Sequence, residues 1–145
     1  MITIRRSHPS DLPALFNIWH DAVRATHAFL SGDDIAFYAQ QVRDAYLPSC
    51  LFWVALGSDD ELRGFLGMTG SKIDALFIDP RHHGQGIGRA LVDHAASLSS
   101  NLTVDVNEQN EGACAFYEKL GFRQIGRSEL DGSGRPFPIL HLARP

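Results

Sequence analysis

Two cysteines in 145 residues, at positions 50 and 114, make no metal or redox spacing. They read as reduced, buried thiols of a cytosolic protein. Long apolar runs are missing as well. A membrane-crossing helix needs roughly 20 such residues, and the longest run, Cys50 to Leu56, has seven. The opening MITIRRSHPSD lacks the apolar stretch of a secretion signal, so export is not expected. Nor is there an excess of positive charge: 13 Lys and Arg face 17 Asp and Glu, for a net charge of −4. That balance argues against a general nucleic-acid binder, because phosphate contacts need a basic face. No repeat, linker or low-complexity segment interrupts the chain, so residues 1–145 read as one domain. A hydrophobic content of 44% is enough to give that domain a real core.

Periodicity orders the elements. ITIRR alternates as a strand. SDLPALFNIWHDAVRATH places Leu12, Leu15, Trp19 and Val23 on one helical face, with Ser10 as N-cap. A second helix fits DDIAFYAQQVRDAYL, stopped by Pro48. CLFWVAL and LRGFLGMT flank the solvated turn GSDDE as a hairpin, and KIDALFI is a third strand in succession. Helix GRALVDHAASLSS, strand LTVDVN and helix EGACAFYEKL follow, the last closed by Gly121. FRQIGRSEL and PFPILHLA form a final hairpin around DGSGR. The series predicts an α/β or α+β fold on a mixed sheet.

Between KIDALFI and its following helix stand Gly84, Gly86 and Gly88. Each glycine weakens a regular element by ~0.5–1 kcal/mol relative to alanine, so their clustering needs a reason. A helix N-terminus carries unpaired amides and partial positive charge, and glycines let an anion reach those amides. Arg81 and Arg89 are the only formal charges from Arg81 to Val92, with His82 and His83 beside them. A phosphate loop of the Gly-Lys-Ser/Thr type is excluded by the absence of those residues. A dinucleotide fingerprint fits poorly, because its third glycine falls on Arg89 and Asp79 to His83 separate strand from loop. His82, His83 and His94 have no metal spacing, so no metal is expected.

Strand ALFIDP, loop HGQGIG, helix RALVDHA, strand LTVDVN and helix NEGACAFYEKLGF together resemble the GNAT superfamily of acetyl-CoA-dependent N-acetyltransferases. Residues 72–125 carry the resemblance, and Asn110 to Phe122 (N-x-x-A-x-x-F-Y-x-K-x-G-F) is its more specific half. ATHAFL and GRPFPILHLA are similar to one branch of small bacterial members. The resemblance implies a three-layer domain, with a mostly antiparallel sheet of about seven strands flanked by about four helices. It implies acetyl-CoA as co-substrate, with Gly84, Gln85, Gly86, Ile87, Gly88 and Arg89 on the pyrophosphate. His83 stands where Gln or Arg is usual in the family. Main-chain groups of Leu76, Phe77 and Ile78 would pair with the pantetheine arm, and Asn110 would fix it from the other side. Phe116 and Tyr117 complete the cofactor set.

Acetyl transfer to an amine needs a neutral nitrogen, an oxyanion donor and a proton for the departing thiolate. An alkylamine of pKa about 10.4 is only about 0.04% neutral at pH 7, a cost of roughly 4–5 kcal/mol. A general base is therefore expected. Tyr117 occupies the family's tyrosine position and is the candidate general acid, with Phe116 the better core residue of the pair. For the base, Asp105 matches a position where some relatives carry a catalytic Glu, with His27 and Asp74 as rivals. Asn107 either binds the acceptor or ends its strand. Trp19, His27, Phe29 and Phe137 are candidates for lining the acceptor pocket. The expected acceptor is a small-molecule or peptide amine, attacking directly in a ternary complex. No nucleic-acid or membrane partner is expected, and a homodimer is possible for proteins of this type. A rival of another class is a CoA-binding sensor of the same fold without turnover.

Overall fold

The computed structural model describes residues 1–145. Its strands are β1 (Thr3–Arg6), β2 (Trp53–Leu56), β3 (Leu62–Thr69), β4 (Lys72–Ile78), β5 (Leu102–Asn107), β6 (Arg123–Ser128) and β7 (Ile139–Arg144). Its main helices are α1 (Leu12–Thr26), α2 (Gly32–Gln41), α3 (Ile87–Leu98) and α4 (Glu111–Lys119). The seven strands run in the order β1-β2-β3-β4-β5-β7-β6. Antiparallel ladders join β1 to β2, β2 to β3, β5 to β7 and β6 to β7, while β4 and β5 run parallel. The expected mixed, mostly antiparallel sheet with four helices is what forms.

The chain divides into two compact units, Met1–Gly67 with Ala75–His94, and Met68–Asp74 with Ala95–Pro145. In the first, α1 buries Leu15, Ile18, Trp19, Ala22 and Val23, the i, i+3, i+4 pattern of a single apolar stripe. That stripe packs with Phe52, Val54, Leu56, Phe65 and Ala75 in the unit's core. Ser10 is not the cap; it lies in a 3-10 turn, Pro9–Asp11. Asp11 stands at the N-cap position, but its carboxylate turns back from the helix, accepting from the His8 amide at 2.7 Å and from the Arg5 guanidinium at 2.9 Å. A carboxylate does this better than a hydroxyl because it accepts from both donors at once.

The second helix starts on a reciprocal cap, Asp34 N–H to Ser31 Oγ at 3.1 Å and Ser31 N–H to Asp34 Oδ2 at 2.9 Å. It does not stop before Pro48. Val42–Tyr46 is a π-helical turn and Leu47–Ser49 continues it. The Leu47 amide already reaches back to the Val42 carbonyl, so Pro48's missing amide falls where the α-helical ladder has been broken.

In the second unit β5 buries Leu102, Val104 and Val106 and turns Thr103, Asp105 and Asn107 the other way. β7 follows with Asp105 opposite His141 and Asn107 opposite Ile139. A bulge between Gln124 and Gly126 on β6 leaves Ile125 exposed. α4 ends with Gly121 at φ +93°, the left-handed closure that glycine adopts without a Cβ clash.

Candidate active site

The glycine segment has the geometry that its composition foreshadows. After β4 the chain enters a 3-10 turn, Pro80–His82, anchored by Asp79. Asp79 is 3% exposed. Its Oδ1 accepts from the Arg81 amide at 3.0 Å, and Arg81 Nη2 reaches Oδ2 at 2.7 Å. The Asp79 amide donates to the Arg63 carbonyl at 2.8 Å. The Arg81 guanidinium holds the Asp79 carboxyl below the usual carboxylate range, against the opposing pull of burial. Beyond this anchor Gly84 and Gly86 have φ +78° and +80°. A Cβ on either would meet nothing within 4 Å. Packing therefore does not require these glycines; the left-handed backbone does. The Ala90 amide closes the first helical turn on the Gly86 carbonyl at 3.0 Å. The amides that precede it at the start of α3 have no intrahelical carbonyl to reach. Gln85 is steadied by Arg63 Nη1 at 3.3 Å.

On β4 the parallel ladder with β5 consists of Lys72↔Thr103 and Ile73↔Val104. Leu76, Phe77 and Ile78 lie beyond those two pairs, half-buried.

Asn110 caps α4, its Oδ1 accepting from the Ala113 amide at 3.1 Å. The Asn107 carbonyl receives the Asn110 amide at 3.0 Å and the Cys114 thiol at 3.7 Å. Asn107 thus ties the end of β5 to the start of α4 through its main chain. Tyr117 and Phe116 exchange their expected roles in packing. Tyr117 is 5% exposed, while Phe116 is half-buried. The Tyr117 ring packs edge-on between Phe116 at 5.1 Å and Phe122 at 5.2 Å. Gly121 turns the chain back so that Phe122, whose amide bonds the Tyr117 carbonyl, closes over the ring. Helical spacing alone does not foresee that lid. Burial pushes the Tyr117 phenol well above its ordinary pKa, so it keeps its proton at any working pH.

The three base candidates sit in different surroundings. His27 ends α1, with Nδ1 2.7 Å from Thr26 Oγ1 and its ring 5.2 Å from Phe29. Burial lowers its pKa to about 4. Asp74 accepts a short hydrogen bond from Thr69 Oγ1. Asp105 is the most connected. Oδ2 pairs with Lys72 Nζ at 2.9 Å, Oδ1 meets His141 Nδ1 at 2.7 Å, and His141 Nε2 lies 2.7 Å from Ser128 Oγ. Burial would raise the Asp105 carboxyl, but the hydrogen bonds from His141 and Lys72 outweigh it and the net shift is downward. Sequence reasoning misses His141, Ser128, Lys72 and Asp79. His141 shares strand parity with Ile139 and Ala143, but its partnership with Asp105 exists only once β7 pairs with β5 in this register. Asp79 carried a local signal, an Asp-Pro step directly after a strand.

Trp19 is 6% exposed and belongs to the core of the first unit, which corrects its expected place in an acceptor pocket. The two cysteines are free but only half-buried.

The class of protein follows. The acetyltransferase (GNAT) domain matches residues 48–124, and the chain belongs to that family. Among its relatives is the peptidyl-lysine N-acetyltransferase YjaB of Salmonella typhimurium, 49% identical over 145 residues, 100% of this chain and 99% of that protein. The Escherichia coli YjaB is 46% identical over 146 residues, covering 99% of this chain and 97% of that protein. The solution structure of apo YjaB from Escherichia coli matches with a TM-score of 0.93 at 47% identity, covering 99% of this chain and 97% of that one. A coenzyme A complex of the PaiA N-acetyltransferase from Thermoplasma acidophilum shares the fold, with a TM-score of 0.81 at 22% identity.

Proposed function

We propose that this protein moves the acetyl group of acetyl-CoA to the ε-amine of a lysine in a peptide or protein, by direct attack in a ternary complex. Full-length identity of 49% to a protein named for peptidyl-lysine acetylation carries the reading. The left-handed, side-chain-free backbone at Gly84 and Gly86 supports it chemically. In the proposal the amides of Gly84 to Arg89 bind the diphosphate, which side chains at those glycines would hinder. His83 adds to this site. The main chain of Leu76, Phe77 and Ile78 holds the pantetheine arm, with Asn110 steadying it and Phe116 beside it.

Acetyl-CoA supplies the activated thioester. Tyr117 serves as general acid for the departing thiolate. A phenol of ordinary pKa about 10 protonates a thiolate of pKa near 8.5 only with close positioning. Burial makes the phenol weaker still as an acid, but it guarantees that the proton is present. The half-buried free cysteines agree with action in a reducing cytoplasm.

The test is CoA release from acetyl-CoA with lysine peptides, spermidine, free amino acids and aminoglycosides as parallel acceptors. Release with lysine peptides, and an acetyl mass on the ε-nitrogen, is the expected outcome. Binding of acetyl-CoA without acceptor-dependent release would replace the enzyme by a sensor of the same fold.

A further inference from the structure

Ser128, His141 and Asp105 stand in hydrogen-bonded series across three strands of the second unit. Ser128 Oγ lies 2.7 Å from His141 Nε2, and His141 Nδ1 lies 2.7 Å from Asp105 Oδ1. Lys72 Nζ holds the second carboxylate oxygen at 2.9 Å. The arrangement is built by strand register. Asp105 on β5, His141 on β7 and Gly126 on β6 are direct cross-strand partners. The β6 bulge precedes Gly126, where an added Cβ would stand 3.4 Å from His141 Cδ2. That is ordinary van der Waals contact, so the imidazole stands directly beside residue 126 of β6. Ser128 and Asn107 both pair with Ile139, on opposite sides of β7, which puts the serine level with the end of β5.

The order of partners defines what each group can do. The carboxylate keeps the proton on Nδ1, so Nε2 is the imidazole's acceptor site, and it faces the hydroxyl. Lys72 favours the ionised carboxylate. His141 is about one-third exposed, open enough to exchange protons with solvent. A purely structural cross-strand pair needs only two of these groups; a serine on the far nitrogen and a lysine on the far oxygen make a directional chain.

We propose that Ser128 and His141 form the proton relay for the acceptor amine, with Asp105 and Lys72 as positioning residues. The inference rests on the acetyltransferase reading above and moves the base from Asp105 to His141. The acceptor ammonium gives one proton to Ser128 Oγ while the serine's own proton passes to His141 Nε2. The neutral nitrogen attacks the thioester carbonyl, forming the C–N bond, and the C–S bond breaks. The thiolate takes the Tyr117 proton, and the second amine proton restores the phenol. The imidazolium then releases its proton to solvent, so the balance is amide, CoA thiol and one proton. Ser128 stays a hydroxyl throughout and is never acetylated.

The test uses the full chain, lysine-peptide acceptor and CoA release from pH 6 to 10, with acetyl-CoA binding followed separately by thermal shift. His141→Ala is expected to lower kcat/KM about 100-fold at pH 7, with the acetyl-CoA shift unchanged. The deficit narrows as rising pH deprotonates the amine without help, and added imidazole restores part of the rate. Ser128→Ala and Asp105→Asn, which disturb the sheet less, are expected to lower the rate in the same pH-dependent way. The relay is overturned if His141→Ala turns over within about twofold of the parent at every pH. It is equally overturned if acetyl-CoA binding falls in parallel, or if intact mass shows acetyl on Ser128. No release by the parent chain with any amine would instead remove the acetyltransferase reading, and the relay with it.

Discussion

The glycine loop of the first unit and the polar face of β5, β7 and β6 in the second pose opposite problems to a reader of the sequence. The loop is contiguous: its strand, its anchor Asp79, its glycines and its helix follow one another within residues 72–98. The polar face is scattered: Lys72, Asp105, Ser128 and His141 come from four strands and span 70 positions of chain. A contiguous site is written in spacing and composition. A scattered one is written in register, and a one-residue slip of β7 would turn His141 to the opposite face.

The sharpest way to break this contrast is to block the loop. Gly86→Glu places a carboxylate on a backbone at φ +80° and in the space assigned to the diphosphate. Loss of acetyl-CoA affinity by more than about 100-fold is expected, from charge repulsion and lost amide contacts together, measured by isothermal titration. Unchanged affinity would show that the loop is only a turn.

Tyr117→Phe separates packing from chemistry. The ring remains between Phe116 and Phe122 while the proton is lost. Turnover should fall about 10²-fold or more, while the melting temperature and acetyl-CoA affinity stay near the parent's. Equal losses of affinity and turnover would return Tyr117 to a packing or binding role.

The smallest effect tests the anchor. Asp79→Ala removes the hydrogen bonds to the Arg81 amide and guanidinium and should cost about 1–3 kcal/mol in urea denaturation at pH 7. The folded pKa of Asp79 is depressed. Its contribution is therefore present above the unfolded value of about 3.9 and fades as pH falls through the lower folded one. Parent and variant should converge in stability toward pH 2–3, and a constant gap at all pH values would exclude the ion pair as its cause.

Most of the fold was legible. β3, β4 and β5 occupy the segments read for them, residue for residue; β5 alternates buried and outward positions, whereas β3 buries Gly64 to Gly67 in succession and was marked instead by the turn before it. The failures were local and have local causes. Ser10 is not the cap because it falls inside a 3-10 turn, leaving the N-cap position to Asp11, whose carboxylate is held by Arg5 and the His8 amide. Pro48 did not end its helix because a π turn had already displaced the hydrogen-bond ladder. Tyr117 rather than Phe116 is the buried ring because Gly121 brings Phe122 back across it.

Chain order by itself determined the family, the succession of elements and the bared backbone at Gly84 and Gly86. All of these depend on residues within a few turns of one another. Tertiary structure decided which carboxylate is spent in an ion pair, which aromatic is buried and which histidine stands between an aspartate and a serine. Those outcomes depend on cross-strand register and on packing between segments far apart in the chain, and no local spacing encodes either.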